Sequence, residues 1–244
     1  MRRIFFILCI CCPLVLFAQT YQQLSEKAIE YIKADSLPQA EELLLQALKL
    51  EPKNARNALL FSNLGLVQRR LGQYEKALDS YSFALNFAPL AVPILLDRAA
   101  IYLETGNTDR AYTDYCQILD EDKQNKEALL MRAYIYVIRR DYNAARIDYN
   151  RLLELDPLSY SGRLGLATLE QKEGKFREAL EIQNKMIVEQ PEDVTLYVAR
   201  ADVEREMKHE DLALVDLDAA IRLVDYTTLL YPTCFRYRTI YNHL

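Results

Sequence analysis

The sequence predicts an all-α fold, a solenoid of about six helix-turn-helix repeats closed by a C-terminal capping helix. Two series of small residues carry that expectation. Ala77, Ala111, Ala145, Ala179 and Ala213 stand 34 residues apart, and so do Gly65, Ala99, Ala133, Ala167 and Ala201. One period shared by two independent series marks a repeat array. Composition agrees: half of the 244 residues are hydrophobic, and six Gly and eight Pro are too few for a turn-rich β-protein. Ala, Leu, Glu, Lys, Arg and Tyr carry much of the rest, which favours helices.

The elements follow in chain order. Arg2 and Arg3 give a short basic start, and Ile4 to Phe17 is an unbroken apolar run of 14 residues that ends at the small Ala18. That layout predicts a signal peptide over residues 1–18, with the mature chain starting near Gln19. A membrane span needs about 20 apolar residues, so an uncleaved anchor is the alternative reading. Leu16 is larger than the small residue usual two positions before a cut, which leaves the cleavage site open. Cys9, Cys11 and Cys12 lie inside the run rather than at its end, which speaks against lipid attachment. No Asn-x-Ser/Thr sequon occurs, so the expected setting is a bacterial periplasm or the outside of a bacterial cell.

Beyond the signal only Cys116 and Cys234 remain, about three repeats apart and too distant for a disulfide; Cys116 is expected to be a small buried residue. The net charge without Arg2 and Arg3 is about −7. That balance argues against nucleic acid and anionic membranes as partners.

Each repeat reads as two helices. Residues 58–71 carry Leu64, Gly65 and Gln68, and Gly72 with Tyr74 marks a tight turn. Residues 74–87 carry Ala77, Tyr81 and Ala84, and Pro89 stops the second helix. The same grammar returns as Ala133, Tyr136, Tyr142, Ala145, Tyr149, Leu152 and Pro157, and again as Ala167, Gly174, Phe176, Ala179, Met186 and Pro191. Small side chains let antiparallel helices approach, and the aromatic fills the space beside them. Ala28 and Ala40 extend both series backwards with a 37-residue step, and the three extra residues fit between Lys53 and Asn57. The repeats are expected at about 21–54, 58–91, 92–125, 126–159, 160–193 and 194–227, covering residues 21–225.

This pattern of small, aromatic, alanine and proline positions resembles the tetratricopeptide-repeat (TPR) family. The resemblance implies a right-handed superhelix whose first helices line a concave face. Some positions depart from the family. The usual Trp is Leu24, Phe61, Leu95, Leu129, Arg163 and Tyr197; Lys123 and Asp225 replace the terminal proline; Gln183 replaces the aromatic of the fifth repeat.

A second pattern lies inside the repeats. Arg98, Arg132 and Arg200 occupy equivalent first-helix positions, and Asp114, Asp148 and Asp216 follow each by sixteen residues in the second helix. The other repeats have Lys27 with Leu43, Leu64 with Ser80, and Leu166 with Ile182. Arginine and aspartate occur together or not at all, which predicts structural ion pairs joining the two helices. The alternative is an arginine ladder for an anionic ligand.

No catalytic residues, metal ligands or cofactor are expected. His209 and His243 have no Cys or His at metal-ligand spacing, and His209 falls in a turn where a solvated role is expected. No phosphate-binding glycine loop or nucleophile elbow occurs. The expected partner is another protein or peptide, bound in the groove that the resemblance implies. By its phase the groove comprises Leu66, Arg69 and Arg70, then Leu96, Ala100 and Leu103, then Leu130, Tyr134, Val137 and Ile138, then Leu164. An apolar stripe of this kind marks a partner site, unless tight curvature buries it between repeats. The lysine positions of the family's chaperone-type carboxylate clamp are Ser25, Ser62, Leu96, Leu130, Leu164 and Val198, so that clamp is not expected.

Residues 226–244 are expected to form the capping helix, started by Pro232, with Tyr237, Ile240, Tyr241 and Leu244 on one face. Self-association through that helix, using its tyrosines and Phe235, is the alternative to a simple cap. The functional expectation is an exported interaction scaffold or adaptor. The alternative is a structural subunit of an envelope-associated assembly, joined through the solenoid ends.

Overall fold

The structure, a computed structural model, describes residues 20–230, with side chains described as far as Val224. The expected signal peptide and the expected helix after Pro232 lie outside the described residues. Among the described residues there are twelve α-helices and no strand: α1 Tyr21–Lys33, α2 Leu37–Leu50, α3 Asn57–Arg70, α4 Tyr74–Phe87, α5 Val92–Glu104, α6 Thr108–Glu121, α7 Lys126–Ile138, α8 Tyr142–Leu155, α9 Tyr160–Lys172, α10 Phe176–Glu189, α11 Val194–Glu206 and α12 Glu210–Leu230. None of the described helices is long and apolar enough to cross a membrane.

Local chemistry sets the helix starts. Thr20 and Gln23 form a reciprocal capping box at α1. Asn125, Asp141, Ser159 and Asp193 each accept a backbone N–H of the helix that follows. The first helix of every repeat ends the same way. Asp35, Gly72, Gly106, Arg140, Gly174 and Lys208 all have left-handed φ, from 57° to 82°. From Gly72 onward they stand 34 residues apart. At the second of these turns, Gly72 N–H donates to the Arg69 carbonyl and Gln73 N–H to the Gln68 carbonyl, and the other five repeat that double closure. Only three of the six residues are the glycines that such a backbone favours.

The second helices α2, α4, α6, α8 and α10 end instead on residues with φ between −129° and −147°. Asp225 stands where other repeats carry proline, and α12 continues through it to Leu230. The last helix therefore does not stop at the expected repeat boundary, whereas α6 stops at Glu121 although Lys123 likewise replaces the proline there.

The chain divides into two compact units, and the boundary falls within α5, between Ile101 and Tyr102. In the first unit, α1, α2 and α3 bury Leu24, Ala28, Ala40, Leu44, Ala47, Leu60, Leu64 and Val67 in one core. Tyr21 Oη donates to Asn57 Oδ1 at 3.0 Å, and Asn57 Nδ2 donates to the Glu51 carbonyl at 2.8 Å. Asn57 is wholly buried and ties down the longer connection between the first two repeats. In α3 Gly65 is required by packing, because a Cβ there would sit 2.9 Å from the Tyr81 ring. In the second unit, Ala133, Ala145, Tyr149 and Leu169 form one core cluster, and Met186, Ile187 and Leu196 another.

Candidate partner-binding faces

The second unit holds the most apolar of the candidate faces. α7 is 13 residues long, and its buried side carries Ala128, Leu129, Ala133 and Ile135. Its other side presents Tyr134 and Ile138, which are 50% and 49% exposed. Leu130 and Val137 beside them are half-buried and pack on the core cluster of Ala133, Ala145 and Tyr149. Leu103 and Leu164 are also half-buried, and Leu164 packs against the Met186 cluster. The apolar character expected of this face is therefore concentrated in Tyr134 and Ile138.

Tyr149 comes up beneath that face. Its ring lies so close to α9 that a Cβ on Gly165 would meet it at 2.5 Å. Burial pushes the Tyr149 phenol up to about 12, and Tyr134 adds to the shift. The phenol stays neutral and polar beside an exposed apolar pair. Further along, the first-helix surface turns polar: Gln171 donates to Glu206 at 2.9 Å, and Arg205 to Asp202 at 2.7 Å.

In the first unit the corresponding positions are less open. Leu66, Leu96 and Ala100 are half-buried. Arg70 is held by Asp35 at 2.7 Å. Arg69 faces the Asp97 carboxyl and the Tyr81 phenol; burial raises the pKa of both groups, and Arg69 opposes the rise. This unit also has an exposed aromatic patch on α4. Phe83 and Phe87 are 52% and 40% exposed and stack on Phe61 at 5.3 and 6.0 Å between centroids. The phase of the first helices gave no signal for that patch, since it belongs to a second helix.

The arginine and aspartate positions form a linked system. Arg132 Nε donates to Asp148 Oδ2 and Nη2 to Oδ1, both at 2.8 Å, while Nη1 reaches Cys116 Sγ at 3.7 Å. Arg200 repeats this with Asp216 at 2.8 and 2.5 Å, and its Nη1 donates to Asn184 Oδ1 at 2.6 Å. In the first unit Arg98 Nη1 donates to Ser82 Oγ at 3.2 Å, and Asp114 is buried in the second unit. Ser82, Cys116 and Asn184 each precede their arginine by sixteen residues. Arg132 and Arg200 thus each hold their own repeat's second helix and the second helix before it. The Asp148 carboxylate is the largest influence raising the Arg132 pKa, and Asp216 does the same for Arg200.

That backward reach was not legible from the spacing of arginine and aspartate alone. Cys116 is half-buried rather than buried, because it lies at the edge where the guanidinium enters. His209, expected to be a solvated turn residue, has Nδ1 2.7 Å from Glu204 Oε2. Glu204 is buried, and the turn places His209 as its partner. Among the described residues no group of three His, Cys, Asp or Glu could hold a metal ion.

A family model described as Tetratricopeptide repeat matches residues 25–91 and 96–160, more than half of the chain. The chain belongs to the tetratricopeptide-repeat family. Its fold is the all-α TPR solenoid. A solved TPR protein from Parabacteroides merdae ATCC 43184 is 34% identical, with a TM-score of 0.80 and 87% of each chain covered. YrrB, a TPR protein with an unusual peptide-binding site, matches with a TM-score of 0.58 at 18% identity, over 74% of this chain and 91% of that one. DnaJ homolog subfamily C member 7 of Mus musculus is 28% identical over 118 residues, 48% of this chain and 23% of that protein. The TPR chain spans less than a quarter of the length of that curated relative.

Proposed function

We propose that this TPR protein is an exported interaction scaffold that holds a partner segment against the first-helix face of its second unit. The observation that carries the reading is the pair Tyr134 and Ile138. Both are half exposed on α7, with half-buried Leu130 and Val137 beside them, while polar pairs occupy the equivalent surface of α9 and α11. Large apolar side chains left in solvent cost solubility and mark a contact surface. The spacing of Leu130, Tyr134, Val137 and Ile138 suits an amphipathic helix or an extended apolar segment as ligand. TPR proteins are in general interaction scaffolds, and YrrB has a peptide-binding site; both facts support a polypeptide ligand. The basic start and short apolar run before Ala18 support export, and the likeness to a Parabacteroides merdae protein supports a bacterial setting.

The test is a pair of substitutions, Tyr134→Glu and Ile138→Glu, in the full chain. Affinity capture from a periplasmic fraction should lose a partner retained by the unchanged protein, with helical signal and melting temperature unaltered. A large fall in melting temperature would show that the two side chains serve the core, and the reading would fail.

A second reading, a structural subunit joined through its end, is favoured by α12. Leu214, Val215 and Ile221 there are 60%, 64% and 41% exposed. One repeat earlier, Ile187 occupies the position of Ile221 and is 8% exposed beneath α11. The last helix thus offers an uncovered apolar side among the described residues.

A further inference from the structure

A cleft of about 210 Å³ opens where the fifth repeat meets the fourth, walled by Leu153, Pro157, Leu166 and Ile182, with Arg163, Lys185 and Glu189 also lining it. Its origin is visible in the repeat itself. Thirty-four residues earlier the same positions are Leu119, Lys123, Arg132, Asp148, Leu129 and Arg151, and they line the matching cleft of the fourth repeat. There the Arg132–Asp148 pair lines a wider cleft of about 610 Å³ and makes its wall charged. In the fifth repeat Leu166 and Ile182 replace the pair, and the cleft is narrower and its wall apolar at those positions.

Arg163 is the other departure. Its side chain is 14% exposed, and Nη1 donates to Glu189 at 2.6 Å. Its Nε–H is buried and has no acceptor. Leaving a buried donor without an acceptor is unfavourable, so an acceptor delivered there is favoured. Lys185 is held only by Glu181, at 2.8 Å, and both side chains are about two-thirds exposed, so that contact exchanges readily. Small-molecule pockets run to roughly 300–1,000 Å³. This cleft is below that range and suits one bulky side chain. Its Leu166 wall also lies on a different side of α9 from Leu164, Thr168 and Gln171, since Leu166 is about 140° or more away from each of them around the helix.

We infer that the fifth-repeat cleft is a second docking point, which receives a single leucine- or phenylalanine-sized side chain of a partner polypeptide followed by an acidic residue. The apolar walls take the side chain. A carbonyl of the partner backbone accepts from Arg163 Nε–H, and the acidic residue meets Lys185 in place of Glu181. The site is an anchor pocket of the kind that concentrates binding energy in an interface.

The probes are acetylated leucyl-glutamyl, phenylalanyl-glutamyl and alanyl-glutamyl amides, added at millimolar concentration to the full chain with labelled methyl groups. The leucyl and phenylalanyl probes should shift the methyl resonances of Leu153, Leu166 and Ile182. The alanyl probe should bind about tenfold more weakly or worse, because several buried methylenes are missing. The double variant Leu166→Arg, Ile182→Asp installs the pair of the fourth repeat and should abolish the shifts while the melting temperature holds. If that variant melts early, Ile182→Phe fills the same space and must also abolish them. Equal shifts with the alanyl probe, shifts confined to the methyl groups of Leu130 and Ile138, or persistence in both variants would each overturn the proposal.

Discussion

At the scale of single residues the turns show how a repeat tolerates local cost. Six turns share one left-handed backbone, but Asp35, Arg140 and Lys208 occupy it with a Cβ. Steric conflict between Cβ and the backbone makes such a residue less stable than glycine by about 1 kcal/mol. Arg140→Gly and Lys208→Gly should therefore each raise the unfolding free energy by about that amount, read as a higher denaturation midpoint with an unchanged slope. A fall in midpoint would mean that the side chain does more than occupy the turn. Gly72 was legible as a turn in the sequence because glycine advertises the backbone. Arg140 and Lys208 were not, since only the 34-residue offset from a glycine identifies them.

At the scale of elements the ion pairs join helices that apolar packing has already brought together. Asp148 is 4% exposed and Arg132 22%. Removing one member of a buried pair strands the other charge, which costs about 3 kcal/mol or more. Asp148→Ala should therefore lower stability by about that amount. Glu154→Ala, which breaks the surface contact of Arg151 at 2.8 Å, should cost below about 1 kcal/mol. Thermal unfolding of the two variants side by side decides it; equal effects would mean that water reaches the Arg132 pair. The co-occurrence of arginine and aspartate at sixteen residues pointed to these contacts, because each repeat keeps or loses both. Nothing in that spacing pointed to Cys116 or Asn184, whose chemistry varies while their position does not.

At the scale of the whole molecule, the small-residue series made the TPR fold legible throughout the repeats, since close helix approach admits so few residue types. The binding faces were harder to read. Half-buried Leu130 and exposed Tyr134 look alike in sequence, and the depth to which a neighbouring helix covers each decides between them. The exposed side of α12 bears on assembly. If Leu214 and Ile221 join two copies, sedimentation of the full chain should give a dimer, and Leu214→Glu with Ile221→Glu should give a folded monomer. A monomer before and after substitution would remove the structural-subunit reading.

The three-helix grip of Arg132 and Arg200 also bears on how such an array can be rearranged. Helices α9 and α10 carry neither arginine nor aspartate at these positions, so deleting that hairpin parts no arginine of this set from its aspartate, although it takes Asn184 from Arg200 and Glu170 from Arg146. Helices α7 and α8 are less portable. Transplanted elsewhere, Arg132 would keep Asp148 but lose Cys116, and a cut between the two helices would strand both charges. For the arginine–aspartate set alone, the fifth repeat is therefore the one that can be copied or lost without stranding a charge, and its missing pair is also what makes its cleft apolar.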